Sequence, residues 1–258
     1  MYILIGDIGN TITKICLVDY NSFKLKKILY INSNQITHKY FKKRLIKFFL
    51  NKKINKISLI SSVVPKYYKI LKKILYNLRK IHLIEIKEKN IKKIVRINIK
   101  NKNQVGSDRI ANAVAVYKKF KSNCIVLDFG TATTFDVVTK NGIYNGGVIA
   151  PGVNLSIRSL IKTADQIPSF IIKRQKKIIG KNTIEALRSG FYWGYSGLIN
   201  NIIQKIEKET NKKYKIIFTG GYANLFKNSI KGKFKIDINI TINGIIEILK
   251  ANRKLLIR

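Results

Sequence analysis

Apolar and polar positions alternate from the first residues of the chain. Tyr2-Ile3-Leu4-Ile5-Gly6-Asp7 has the pattern of a buried strand, Ile8-Gly9-Asn10 is a polar glycine turn, and Thr11 to Asp19 resumes an alternating strand. The same text returns at Cys124 to Asp128, Phe129-Gly130-Thr131 and Thr133 to Thr139. A shift of 121 residues superposes Asp7 on Asp128, Gly9 on Gly130 and Thr13 on Thr134. Repetition at that spacing predicts two halves on one plan, each opening with a β-meander whose third strand is Lys24 to Ile31 or Ile143 to Ile149.

Between the repeats the apolar period lengthens. Ile36 to Leu50 reads as a helix and Ile57 to Ser62 as a strand, and Pro65 opens a second helix at its first position, where a missing N–H costs nothing. Short strands at His82 to Ile86 and Val95 to Ile99 precede a helix starting near Asp108. After the second meander come Pro151-Gly152, a helix and a polar stretch to Lys181. A long helical region follows from Thr183 to Glu209, then a strand from Tyr214 to Phe218, the turn Thr219-Gly220-Gly221, and a last helix from near Thr241. Strands alternating with helices in both halves predict an α/β protein with a mixed sheet in each. No low-complexity linker intervenes. The expected division is 1–114, with the first glycine turn, and 115–258, with the second, packed over a cleft.

Composition narrows the class. With 258 residues, 46% apolar and 25% charged, the chain has ample material for a core, which excludes disorder. No apolar run approaches the roughly 18 residues of a membrane span, and the start lacks the basic and apolar regions of a signal peptide, so a cytoplasmic protein without membrane contact is expected. Cys16 and Cys124 cannot form a disulfide framework, and His38 and His82 have no Cys or His nearby for a zinc site. The net charge of +38 comes from 51 basic residues against 13 acidic ones and invites a nucleic-acid reading. Of the 51, however, 42 are Lys, scattered among abundant Ile and Asn rather than gathered in a stripe. A genome biased to A/T-rich codons accounts for that composition. No specific nucleic-acid partner is expected, although weak, salt-sensitive phosphate binding follows from the charge.

In such a chain each surviving carboxylate is informative. Asp7, Asp108, Asp128 and Asp136 sit in or beside turns rich in glycine and threonine, while Glu85, Glu88, Glu207, Glu209 and Glu247 lie in Lys-rich text where surface pairing suffices. Phosphoryl transfer needs backbone N–H groups close to phosphate oxygens, glycines that let the chain approach, a hydroxyl or amide, and a carboxylate for the metal. Asp7-x-Gly9-Asn10-Thr11 and Asp128-x-Gly130-Thr131 each supply this set. One copy alone is equally an ordinary tight hairpin turn; two copies in register are not. Thr219-Gly220-Gly221, between a strand and a helix, adds a place for a nucleotide to lie against backbone. No P-loop and no G-x-G-x-x-G occurs: Gly180-Lys181-Asn182-Thr183 lacks the upstream glycine and the hydroxyl residue after Lys.

Paired D-x-G loops in duplicated α/β halves resemble the superfamily of acetate and sugar kinases, Hsp70 ATPase domains and actin. The resemblance sharpens over almost the whole chain. Asp7 to Lys14, Ser61 to Pro65, Val105 to Arg109, Asp128 to Thr134, Gly146 to Gly152, Gly180 to Thr183 and Thr219 to Gly221 occur in the order and spacing of type III pantothenate kinases. That resemblance implies two ribonuclease H-like halves, each a mixed sheet flanked by helices around a cleft. It implies ATP-dependent phosphorylation of pantothenate to 4'-phosphopantothenate, the first step towards coenzyme A, by a homodimer. It also implies an ATP loop of Asp7, Ile8, Gly9, Asn10, Thr11, Ile12, Thr13 and Lys14, with Asp7 serving magnesium, and further ATP contacts at Thr131, Gly220 and Gly221. Asp128 is implied as ligand of a monovalent cation, potassium or ammonium. Asp108 is implied as the base, in a substrate-binding set with Gly106, Ser107, Arg109 and Thr183.

From the residues themselves, Asp108 at a helix N-terminus would be favoured in its ionised form and Arg109 could fork onto a carboxylate, while a plain N-cap with a surface arginine stays open. Asp136 is expected at a strand-end surface. Relatives carry a tyrosine seven residues before Gly106; here that position is Ile99, and the connection after it is Lys100-Asn101-Lys102-Asn103. Phe191, Tyr192, Trp193 and Tyr195 are candidates for a subunit interface or for core. Two other classes compete: a nucleotide-dependent regulator or ATPase of the same fold, which Gly106 to Arg109 and Thr183 speak against, and a cationic nucleic-acid binder, for which no aromatic stacking platform is legible.

Overall fold

The computed structural model describes residues 1–88, 94–229, 232 and 234–254. The chain forms two compact units, Met1–Lys119 with Gly142–Tyr144 and Asn239–Arg258, and Phe120–Asn141 with Asn145–Ile238.

In the first unit β1 (Tyr2–Ile8), β2 (Ile12–Asp19) and β3 (Leu25–Asn32) form the expected antiparallel meander. After α1 (His38–Phe49), β4 (Ile57–Ser62) pairs with β1 in parallel; after α2 (Pro65–Arg79), β5 (His82–Glu85) pairs with β4, giving the order β3-β2-β1-β4-β5. The Thr37 hydroxyl caps α1 by accepting the Tyr40 N–H at 3.2 Å, and α2 starts on Pro65 as its sequence predicts. Phe41, Leu45 and Phe48 of α1 and Leu71, Ile74 and Leu75 of α2 pack on Leu4, Ile15, Leu17 and Ile60 of the sheet. Ile3, Ile5 and Leu59, on the alternate positions, are equally buried, and the last helix, α7 (Ile240–Ala251), packs against β1 and β4. Burial on both faces explains why these strands read as nearly continuous apolar runs.

The short β6 (Arg96–Ile97) leads to α3 (Ser107–Phe120), which α7 holds at very close range. A Cβ on Gly244 of α7 would overlap the backbone of Ala111, and Thr241 Oγ1 donates to Asn112 Oδ1 at 2.8 Å with both side chains buried. The start of α3 is thereby fixed to a rigid neighbour.

The second unit repeats the plan. β7 (Cys124–Phe129) and β8 (Ala132–Val138) form an antiparallel hairpin, β9 (Ile143–Pro151) follows, and α4 (Val153–Thr163) and α5 (Thr183–Thr210) lead to β10 (Lys215–Gly220), α6 (Ala223–Phe226) and β11 (Phe234–Ile236). β10 is parallel to β7 and β11 to β10, so the order β9-β8-β7-β10-β11 matches that of the first sheet, with β6 added beyond β9 through Ile143 and Tyr144. Each sheet is mixed and flanked by helices. Phe129 meets Phe218 edge-on at 5.5 Å and stacks on Phe226 at 5.4 Å, and Tyr192 stacks on Phe226 at 5.9 Å. Tyr192 and Tyr195 are therefore core, while Trp193 remains 38% exposed.

Two carboxylates depart from expectation. Asp136 lies within β8, paired with Val126, and is fully buried rather than at a surface, because this sheet too is covered where the alternation suggests an open face. Glu85 is half-buried at the end of β5, where burial raises its carboxyl above the ordinary range and its Oε2 accepts the Lys87 N–H at 2.7 Å. Glu207 and Glu247 do pair at the surface, with Lys213 and Lys250.

Candidate active site

The first D-x-G loop is the β1–β2 hairpin turn. Register places Asp7 opposite Lys14 on β2 and beside Ser61 on β4, whose hydroxyl donates to Asp7 Oδ1 at 2.8 Å. Gly9 N–H closes the turn on the Ile12 carbonyl at 3.2 Å. Ser33, just past β3, braces the turn from outside: its N–H donates to the Thr11 carbonyl at 2.8 Å, and its hydroxyl donates to the Gly9 carbonyl at 2.7 Å and meets Thr13 Oγ1 at 2.9 Å. Asn10, Thr11 and Ile12 are left exposed at the tip and Thr13 is buried. Ile8 is core, so its share in any ligand contact is confined to backbone.

The second loop is the β7–β8 turn, closed by Gly130 N–H on the Ala132 carbonyl at 3.1 Å. Glycines approach it closely. A Cβ on Gly220, whose φ is +83°, would come within 2.6 Å of Asp128 Oδ1 and of Phe129 N and O. A Cβ on Gly152 would overlap the Thr131 carbonyl. Gly221 N–H donates to the Phe129 carbonyl at 3.1 Å, tying the strand-to-helix turn to this loop. Asp128, Thr131, Gly220 and Gly221 are thus brought together, Thr131 and Gly221 exposed. Thr183 is the first residue of α5, exposed, after Asn182, whose side chain caps the helix by accepting the Glu185 N–H at 2.9 Å.

The third motif forms the start of α3. Ser107 is buried and its hydroxyl donates to the Ser62 carbonyl at 3.3 Å, which joins the Ser61 to Pro65 segment to the substrate motif. Asp108 lies in the first turn rather than at the cap, and its Oδ1 accepts the Arg109 N–H at 2.8 Å. A Cβ on Gly106 would strike that same Oδ1, so only glycine lets the carboxylate turn back over the loop. Burial raises the Asp108 carboxyl above its ordinary range, and the Arg109 N–H and guanidinium partly offset this. Lys87, anchored to the Asn103 carbonyl at 3.0 Å, contributes positive potential from the side. Ile99 is half-buried just beyond β6.

Among the described residues no three His, Cys, Asp or Glu side chains converge as a metal site. Asp7 and Asp128, the carboxylates of the two loops, are the side chains there whose hard oxygens could take a cation. Ser61 was legible only as a motif residue and Ser33 not at all; their bracing roles depend on pairing across 54 and 24 positions. Tyr144 carried no sequence signal beyond its strand.

Equivalent hairpins carrying Asp-x-Gly in two copies of one five-strand order define a protein of the actin-like ATPase and sugar kinase fold. Solved structures agree on the fold. A conserved Campylobacter jejuni protein provisionally assigned to the Baf family of transcriptional activators is 24% identical with a TM-score of 0.63, covering 97% of this chain and 99% of that one. The inorganic polyphosphate/ATP-glucomannokinase of Arthrobacter sp. strain KM is 12% identical with a TM-score of 0.50, covering 98% and 99%. Sequence goes further. The model of the type III pantothenate kinase family matches residues 3–205, and the type III pantothenate kinase of Pelagibacter ubique (strain HTCC1062) is 49% identical over 245 residues, 95% of this chain and 97% of its own. The chain belongs to the type III pantothenate kinase family.

Proposed function

We propose that this protein phosphorylates pantothenate with ATP, giving 4'-phosphopantothenate for coenzyme A synthesis. The observation that carries the reading is the start of α3 in a chain of this family: a half-buried Asp108 beside Arg109, on a helix locked in place by α7. Asp7 to Lys14, Thr131, Gly220 and Gly221 hold the nucleotide; Gly106 to Arg109 and Thr183 hold pantothenate. Arg109 takes the substrate carboxylate as a fork, and Asp108 orients the primary hydroxyl and removes its proton during attack on the γ-phosphate. Asp7 would hold magnesium and Asp128 an alkali cation, each of which would supply positive charge to the phosphates when bound. Exposed Ile171, Ile178, Ile179 and Trp193 suit a homodimer interface, which light scattering would test.

Pantothenate-dependent ADP release with ATP, magnesium and potassium is the decisive assay. ATP turnover unchanged by pantothenate would favour a nucleotide-dependent regulator instead. Asp108→Asn should lower kcat by roughly 10² to 10⁴ with ATP affinity unchanged. Because burial raises the Asp108 carboxyl, the acid limb of kcat/KM should lie above the ordinary carboxylate range and disappear in the variant. The folded state binds this proton more tightly than the unfolded state does, so the stability it adds is complete at low pH and lost as pH rises through the raised value. Asp108→Asn should therefore be more stable than the wild type at neutral pH, by thermal melting, while far less active.

A further inference from the structure

Arg109 does not stand alone at the start of α3. Its guanidinium lies over the ring of Tyr144, 5.8 Å from the centroid, and Tyr144 is 2% exposed. Tyr144 reaches this place by an excursion of the chain: Gly142–Tyr144 belong to the first unit although the residues on either side belong to the second. Three contacts fix the excursion. Gly142, at φ +72°, rests flat on the ring of Tyr117 of α3, where a Cβ would come within 2.9 Å of the ring. Its carbonyl accepts the Arg96 N–H at 2.8 Å, and the Tyr144 carbonyl accepts the Asn98 N–H at 2.9 Å. Arg96 and Ile97 of β6 pair with Ile143 and Tyr144 in register. Such bracing is more than a surface arginine needs, and it ends at Asn98, next to Ile99.

We infer that Tyr144 is a positioning residue for the acceptor's carboxylate: its buried ring fixes the plane of the Arg109 guanidinium so that the fork is formed before substrate arrives. The inference rests on the pantothenate kinase reading. An arginine side chain loses considerable rotamer freedom on binding; a ring that already orders it removes that cost from the binding step. Such a residue acts on ground state and transition state alike, so its removal should appear in KM and not in kcat.

The test is steady-state kinetics on the full-length protein with pantothenate as acceptor. Tyr144→Leu should raise KM for pantothenate roughly three- to thirtyfold, the span of a cation–π contact from partly exposed to desolvated, with kcat within about twofold and KM for ATP unchanged. Tyr144→Phe keeps the ring and should restore KM. In an Arg109→Gln background, Tyr144→Leu should lower kcat/KM by less than twofold further, because the group it positions is gone. An equal penalty in both backgrounds, a fall in kcat at unchanged KM, or a Phe variant as impaired as Leu would each overturn the inference. If Tyr144→Leu does not fold, Tyr144→Met takes the same assays, and if Arg109→Gln is inactive the Phe comparison decides. Failure of the wild type to phosphorylate pantothenate would overturn the functional reading itself, a different outcome from failure of the variant pattern.

Discussion

The two D-x-G loops have the same strand order around them and are built by different means. The Asp7 loop is held by hydroxyls: Ser61 on the carboxylate, Ser33 on the Gly9 carbonyl and Thr13. At the Asp128 loop Gly220 and Gly152, from outside its hairpin, come so close that no Cβ fits. A hydroxyl brace is a short lever that loses one hydrogen bond when removed. A glycine contact has no such graded failure, because any side chain must displace backbone. The two loops thus share the place of their carboxylates and differ in the neighbours that come closest to them.

The contrast can be broken most severely at Gly220. Gly220→Ala adds a Cβ at a left-handed φ against Asp128 and Phe129, a strain of about 3 kcal/mol, so ATP affinity by calorimetry should fall roughly a hundredfold. Retained affinity would mean the second loop is not the glycine-packed element described here. Next in size is the ion. If Asp128 holds potassium, replacing potassium by sodium should cost about tenfold or more in kcat/KM, and Asp128→Ala should be inactive or indifferent to the cation. An Asp128→Ala enzyme still stimulated by potassium would move the cation elsewhere.

Ser61→Ala tests the opposite style of construction. Removing one hydroxyl donor from an ionised Asp7 should cost about 1.5 kcal/mol, or roughly tenfold in kcat/KM for ATP, with pantothenate KM unaffected. The smallest effect lies outside both loops. Ile99→Tyr restores one neutral hydrogen bond, about 1 kcal/mol, and should lower KM for pantothenate about fivefold with kcat and ATP binding unchanged. A change in ATP KM instead would show that this segment communicates with a nucleotide loop.

How much was legible follows from the range of each signal. The meanders, the 121-residue repeat, Pro65 at the start of α2 and the helix from Thr183 rest on local periodicity and turn chemistry, and the structure has them within a residue or two. The motif residues were legible as chemistry. What escaped is non-local. Asp136 was assigned to a surface because carboxylates seldom lie inside, a rule that ignores whether a second layer covers the sheet. Glu85 was hidden in Lys-rich text whose strand end is half-buried. Tyr144 beneath Arg109 requires two segments 35 positions apart to meet, and no alternation of apolar residues announces that.

The return of Asn239–Arg258 to the first unit has a bearing on how the chain is made. On a ribosome the first sheet is translated early, but the helix that packs against β1 and β4 is translated about 180 residues after β4. Ile240, Ile242, Ile245, Ile248 and Leu249 are all buried there, so until they emerge the strands they cover keep an apolar face in water. A nascent chain paused before residue 239 would hold a finished meander and two packed helices, yet its α3 would lack Gly244 and Thr241 to lean on. Synthesis of α7 thus becomes the step at which the site at the start of α3 can first become rigid, and termination before it would leave an adhesive half rather than a smaller enzyme.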